Sequence, residues 1–197
     1  DTDRSRGLGD VYKRQNTYNK GYFPSKGTDL QGNYSLYTDN LTQYKDHAPF
    51  SALTASWASV FSVTDRFALI PSLYGRILIG KDIPYPYLNA IGGDNFGHYL
   101  PQQLPFAGIT NLEIVDNSVI VAGLKVRQRI GGKNYVTLTG NVALREDNFF
   151  DILSGKPVWG GSLGYGYDSL FGPLEASFGY SSRAHDVGFY VNLGYVF

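Results

Sequence analysis

Eight segments of this chain of 197 residues alternate large apolar side chains with small or polar ones at a period of two. That period belongs to strands, because successive side chains leave a strand on opposite faces. In 188–197, Phe189, Val191, Leu193, Tyr195 and Phe197 share one face, against Gly188, Tyr190, Asn192, Gly194 and Val196. The same reading predicts strands over 171–182, 157–168, 133–144, 118–130, 66–79, 50–63 and 27–38. Ordinary globular strands run about 5–6 residues, so segments of 10–14 residues are unusually long. A tilted membrane crossing needs about 9–11.

The connections alternate in length. Thr64-Asp65-Arg66, Gly131-Gly132-Lys133 and Asp168-Ser169-Leu170 read as tight turns, whereas 39–48, 80–117 and 147–156 read as longer polar links. Short turns at one end and longer loops at the other are the signature of an outer-membrane barrel. The non-apolar faces point the same way. They carry Gly, Ser, Thr, Asn and Tyr with isolated charges such as Asp29, Lys125, Arg127, Arg129 and Glu175, while the apolar faces of the last five segments carry none. A soluble sheet would have a densely charged face. A lipid-exposed sheet must also close on itself to pair its backbone.

Composition narrows the function classes. Seventeen basic residues balance 17 acidic ones, so no basic field argues for nucleic acid. There is no Cys, hence no disulfide framework or thiolate metal site. No apolar run approaches the roughly 20 residues of a spanning helix. Residues 1–15 share nothing with the Tyr- and Gly-rich remainder, and GLGDVYKRQ resembles translated sequencing-adaptor read-through. This stretch is expected to be a non-native or disordered leader, with the barrel domain over 16–197 and its N-terminal part missing.

Motifs with catalytic precedent read structurally. Gly160-Gly161-Ser162-Leu163-Gly164 matches G-x-S-x-G, but the nucleophile elbow requires a strand–turn–helix, and this run lies inside an alternating strand. His47, His98 and His185 fall in separate predicted loops. They read as scattered solvated side chains, or as a metal site if the loops converge. Asp94 beside Gly92-Gly93 reads as a turn residue or a ligand. No catalytic residue, metal or cofactor is expected. Lys125, Arg127 and Arg129 form a basic lumen strip, which either pairs across the lumen with acids such as Glu175 and Asp29 or contacts an inserted loop or passing polypeptide. Trp57, Trp159, Tyr165, Tyr167 and Tyr195 are expected at the membrane interfaces.

Three stretches in order resemble the second half of the POTRA-associated, bacterial surface antigen type of outer-membrane barrel. Phe23-Pro24-Ser25-Lys26-Gly27 is similar to its FPT-x-G turn. Gly92, Gly93, Gly97, His98 and Tyr99 are placed like the GG…RG-F/Y tip of its long sixth extracellular loop, with His98 where the family has Arg. Five strands then follow, and Tyr195 and Phe197 resemble the C-terminal signal read by the barrel assembly machinery. The resemblance implies an all-β, antiparallel transmembrane barrel in the bacterial outer membrane, of which this chain holds eight of sixteen strands. The tail 172–197 and the stretch YLPQQLPFAG are most similar to barrels that follow patatin-like phospholipase domains in Bacteroidetes. That implies a non-catalytic anchor or translocator. Its partners would be outer-membrane lipid, an N-terminal passenger and a POTRA module in cis. A general assembly barrel and a complete eight-stranded structural barrel are the alternatives.

Overall fold

A computed structural model describes residues 10–38, 49–93, 100–109, 112–147, 149–155 and 157–194. Nine strands form one sheet: β1 (Asp10–Asn16), β2 (Gly27–Tyr37), β3 (Phe50–Ser62), β4 (Phe67–Ile79), β8 (Ser118–Gly131), β9 (Asn134–Glu146), β10 (Val158–Ser169), β11 (Gly172–Ser181) and β12 (Val187–Leu193). Every neighbouring pair is antiparallel, in the order β1-β2-β3-β4-β8-β9-β10-β11-β12. The eight strands expected from periodicity are all present. A ninth strand, β1, overlaps the end of the stretch read as a leader: Asp10–Asn16 pairs with 29–35 along its whole length.

Register converts alternation into two continuous surfaces. One row runs Phe61, Leu69, Val126, Leu138, Leu163, Phe178, Phe189 across seven strands. Leu138, Leu163, Phe178 and Phe189 in this row are each more than half exposed. Apolar exposure this continuous is foreign to soluble monomers and matches a lipid-facing wall. β1 departs from it: Lys13 and Gln15 stand opposite Gly32 and Leu30 on that same face. The opposite face is polar and small. One row there reads Lys125, Thr139, Ser162, Gly179, Gly188. Among the described residues no helix is long and apolar enough to cross a membrane.

The connections divide as expected. Tight turns join β3 to β4, β8 to β9 and β10 to β11 at one end. The long links emerge at the other, and that between β9 and β10 holds a 3-10 turn at Phe149–Ser154. The link 80–117 is not the simple polar loop read from sequence. It contains a 3-10 turn at Tyr85–Tyr87 and a second small sheet of β5 (Ala90–Ile91), β6 (Gln103–Leu104) and β7 (Glu113–Ile114). This segment lies against the polar face and the sheet curls around it. Its Ile91, Leu104, Phe106, Ile109 and Val115 form a buried cluster with Tyr74, Val119, Val121, Ala143 and Val158 of the wall.

The outer and inner surfaces carry opposite tolerances for charge. Leu138→Arg, on the outer row, is expected to cost about 2–4 kcal/mol of folding stability in bilayers. Thr139→Arg, one residue along on the wet face, is expected to cost about 1 kcal/mol or less, since its charge stays in contact with water. Urea titration of folded protein in vesicles measures both.

Candidate functional site

The plug, residues 80–93, 100–109 and 112–117, is held to the wall by polar groups from β4. Arg76, only 5% exposed, donates from Nη1 to the Tyr87 carbonyl at 3.0 Å and to Asn89 Oδ1 at 2.8 Å. Asn89 returns its amide to the carbonyls of Arg76, Asp116 and Asn117 at 3.2, 3.0 and 2.9 Å. Tyr74 donates its hydroxyl to the Pro105 carbonyl and accepts from Asn141 Nδ2 at 3.1 Å. Gln103 Nε2 donates to the Gly92 carbonyl at 2.7 Å, which tightens the plug internally. Two ion pairs fasten its exit, Arg145 to Asp116 at 2.8 Å and Arg183 to Glu113.

Small residues on the wall let the plug approach. A Cβ on Gly160 would lie 2.7 Å from the Phe106 ring and would also strike the Ala107 carbonyl. The motif Gly160–Gly164 is therefore a seat. It sits within β10, continuous with Tyr167, and no turn or helix follows Ser162. Beneath the plug lies a polar concavity of about 250 Å³, lined by Tyr18, Asp29, Ser56, Ser72, Lys125 and Asn141 among others.

The turn end is closed differently. Residues 17–26, between β1 and β2, fold inward and place Phe23 flat on Tyr135, with centroids 4.3 Å apart and planes 5° apart. The Arg127 guanidinium stands 5.8 Å from both ring centroids and donates to the Pro24 carbonyl. Phe23 holds φ at 45°, a region disfavoured for a bulky residue, and the stack holds it there. Gly166 leaves the space, since a Cβ there would lie 2.9 Å from the Phe23 ring. In the same segment, burial raises the Tyr18 phenol above its ordinary pKa, and Asp29 adds to the effect.

Lys125, Arg127 and Arg129 do share the inner face, but the expected cross-lumen pairing is absent among the described residues. Asp29 is bound instead by Arg14 at 3.3 Å, and neither Asp29 nor Glu175 forms an ion pair with the strip. Arg127 is satisfied by aromatic faces and a backbone carbonyl. The structure places Trp159, beside Tyr180 at 5.8 Å, at the loop end of the outer face. Tyr165 and Tyr167 stand toward the turn end and Trp57 midway along β3. Gly92 and Gly93 open the plug with φ of 135° and 73°. Gly97, His98, Tyr99, Asp94, His47, Tyr195 and Phe197 lie outside the described residues. His185 sits in a loop at φ 53°. Among the described residues no cluster of His, Cys, Asp or Glu could hold a metal.

Sequence reasoning missed the Arg76–Asn89 lock and the apolar plug core. A signal was present in Val119-Ile120-Val121. Three consecutive apolar residues break the alternation, as they do where both faces of a strand are buried.

Gly160→Val is expected to unseat the plug while leaving the sheet intact. Chymotrypsin should then cut after Phe106, which is 1% exposed in the native chain, at least about five times faster at unchanged far-ultraviolet circular dichroism. This follows because cleavage tracks the population of the opened form, and overpacking of about 1–3 kcal/mol shifts that population about fivefold to a hundredfold.

The ladder of long antiparallel strands, the apolar outer wall and the inward-folded connection agree with one comparison. A family model described as the OMP85 superfamily matches residues 11–197. No curated protein matches the chain. With nearly the whole length matched, this chain belongs to the OMP85 superfamily, as part of one of its outer-membrane β-barrels.

Proposed function

We propose that this chain is a wall of a plugged barrel in the bacterial outer membrane, serving assembly or translocation of other polypeptides. One observation carries the reading: an apolar outer row continuous from β3 to β12 backs an inner face on which the described parts of 80–117 are locked. A barrel serving only as a scaffold has no use for a segment held by Arg76, Asn89 and two ion pairs at its rim. The sheet is open among the described residues, since β1 and β12 do not pair. Further strands are required to satisfy those edges in lipid, in keeping with the family-sized barrel of sixteen.

The finer reading is that the barrel anchors, and helps export, an N-terminal patatin-like acyl hydrolase, with a POTRA module between them. It rests on the similarity of 172–197 and of Leu100-Pro101-Gln102-Gln103-Leu104 to barrels of that architecture. The chain itself carries no catalysis in this reading. Ser162 lies mid-strand in the inner row with Thr139 and Gly179, and β10 continues past it without a turn. Esterase turnover by this chain that disappears in Ser162→Ala would overturn it. Recovery of the reading frame upstream of Asn16 separates the anchor from a general assembly barrel. A G-x-S-x-G within an α/β domain supports the first, and POTRA modules alone support the second.

The membrane placement has a direct test because the chain contains no Cys and only two Trp. In vesicles, Leu138→Cys should resist a charged maleimide, and its neighbour Thr139→Cys, on the inner face and not buried, should react from the aqueous side. Lipids brominated along their chains should quench Trp57 more than Trp159, since Trp57 stands at mid-strand. Equal labelling of 138 and 139, or no quenching of either Trp, would remove the lipid-facing wall.

A further inference from the structure

Arg76 is the one inner-face cation of β4, and what it lacks is informative. It is 5% exposed and always charged. Its partners are neutral: the Tyr87 carbonyl, the Asn89 side chain and the Tyr37 phenol. No carboxylate pairs with it among the described residues. Among the described residues, Asp29 is engaged by Arg14 and Gln31, and Asp116 by Arg145. A buried charge without a counter-charge is strongly unfavourable, so a fold that keeps one gains something from it.

The guanidinium also borders a concavity of about 180 Å³. Its floor is one row of the sheet, in which Arg76 stands opposite Thr54 and Thr54 opposite Asn33. Ser56 and Gln31 line the next row, and Gln103 and Leu104 of the plug form the roof. Among the described residues Arg76 is the one charged group lining this space. Hydroxyl and amide donors surround a guanidinium fork whose two hydrogen bonds to the plug both leave from Nη1. The planar fork of Arg matches the paired oxygens of a carboxylate, phosphate or sulfate.

We propose that this concavity is a binding site for a small free oxyanion, held by Arg76 with Thr54 and Asn33. Because the roof of the site is the plug and Arg76 also fastens the plug, occupancy couples to closure of the lumen. The anion supplies the missing counter-charge and holds the plug shut.

The test uses the full chain folded in detergent, with inorganic phosphate, sulfate and acetate compared against chloride at equal ionic strength. Phosphate or sulfate should bind saturably by calorimetry. At ten times the dissociation constant either should raise the melting temperature by about 3 °C. Chymotryptic cleavage after Phe106 should slow in parallel. Arg76→Gln should abolish binding. Thr54→Val keeps the charge and the shape, and should weaken binding about tenfold by removing one hydrogen bond to a charged ligand. That second variant decides the matter if Arg76→Gln does not fold. Absence of saturable binding to the native chain overturns the proposal. So does binding that Thr54→Val and Arg76→Gln leave unchanged, which would mark an adventitious site such as the Lys125 strip.

Discussion

In hydrocarbon no water is available to a peptide group, so each exposed N–H and C=O must find a partner within the protein. The whole arrangement depends on that requirement. It calls for long, uninterrupted antiparallel ladders, and the strands here run unbroken for up to 14 residues. The register shift between Arg129 and Gly131 falls at the turn end of β8, where the chain leaves the wall. Once the ladders are fixed, side chains alternate between lipid and lumen without exception. The apolar row from Phe61 to Phe189 and the polar row from Lys125 to Gly188 are two consequences of one backbone geometry.

The interior is divided into a dry end and a wet end. At the loop end, Val119, Val121 and Ala143 turn inward to meet Phe106 and Ile91, so the plug is held by apolar burial as well as by Arg76 and Asn89. Burying a large apolar side chain is worth about 1.5–3 kcal/mol, whereas an exposed ion pair contributes about 0–1 kcal/mol. The plug therefore owes its position mainly to its apolar cluster. The pairs Arg145–Asp116 and Arg183–Glu113 set its orientation at the rim. At the turn end, the Phe23–Tyr135 stack with Arg127 does the comparable work with aromatic faces. Between the two lies the polar concavity around Asp29, Ser72 and Asn141.

Glycine has a specific role in this interior. Gly160 and Gly166 stand three repeats of the alternation apart on the inner face of β10, and each admits a separate inserted segment, the plug at one and the 17–26 connection at the other. The first glycine of the G-x-S-x-G run is therefore required by close packing in the lumen. The same five residues would belong to a nucleophile elbow only with a sharp turn after Ser162, and β10 continues straight through it.

Sequence alone determined eight of the nine strands of the wall, their facing and the division of connections into short and long. Alternation at period two over ten or more residues admits only one such backbone, and a one-residue slip would expose the wrong face everywhere. It also read Lys125, Arg127 and Arg129 as one face of their strand. What it could not supply was the partners. Whether Arg127 meets Glu175 or Phe23 depends on how residues 17–26 fold back, over a separation of about a hundred residues that no local pattern encodes. The same holds for Arg76 and Asn89, and for the conversion of 80–117 from a polar link into a plug with an apolar core. Those contacts arise only when the sheet curls and brings distant strands around a common space, so tertiary structure decided them.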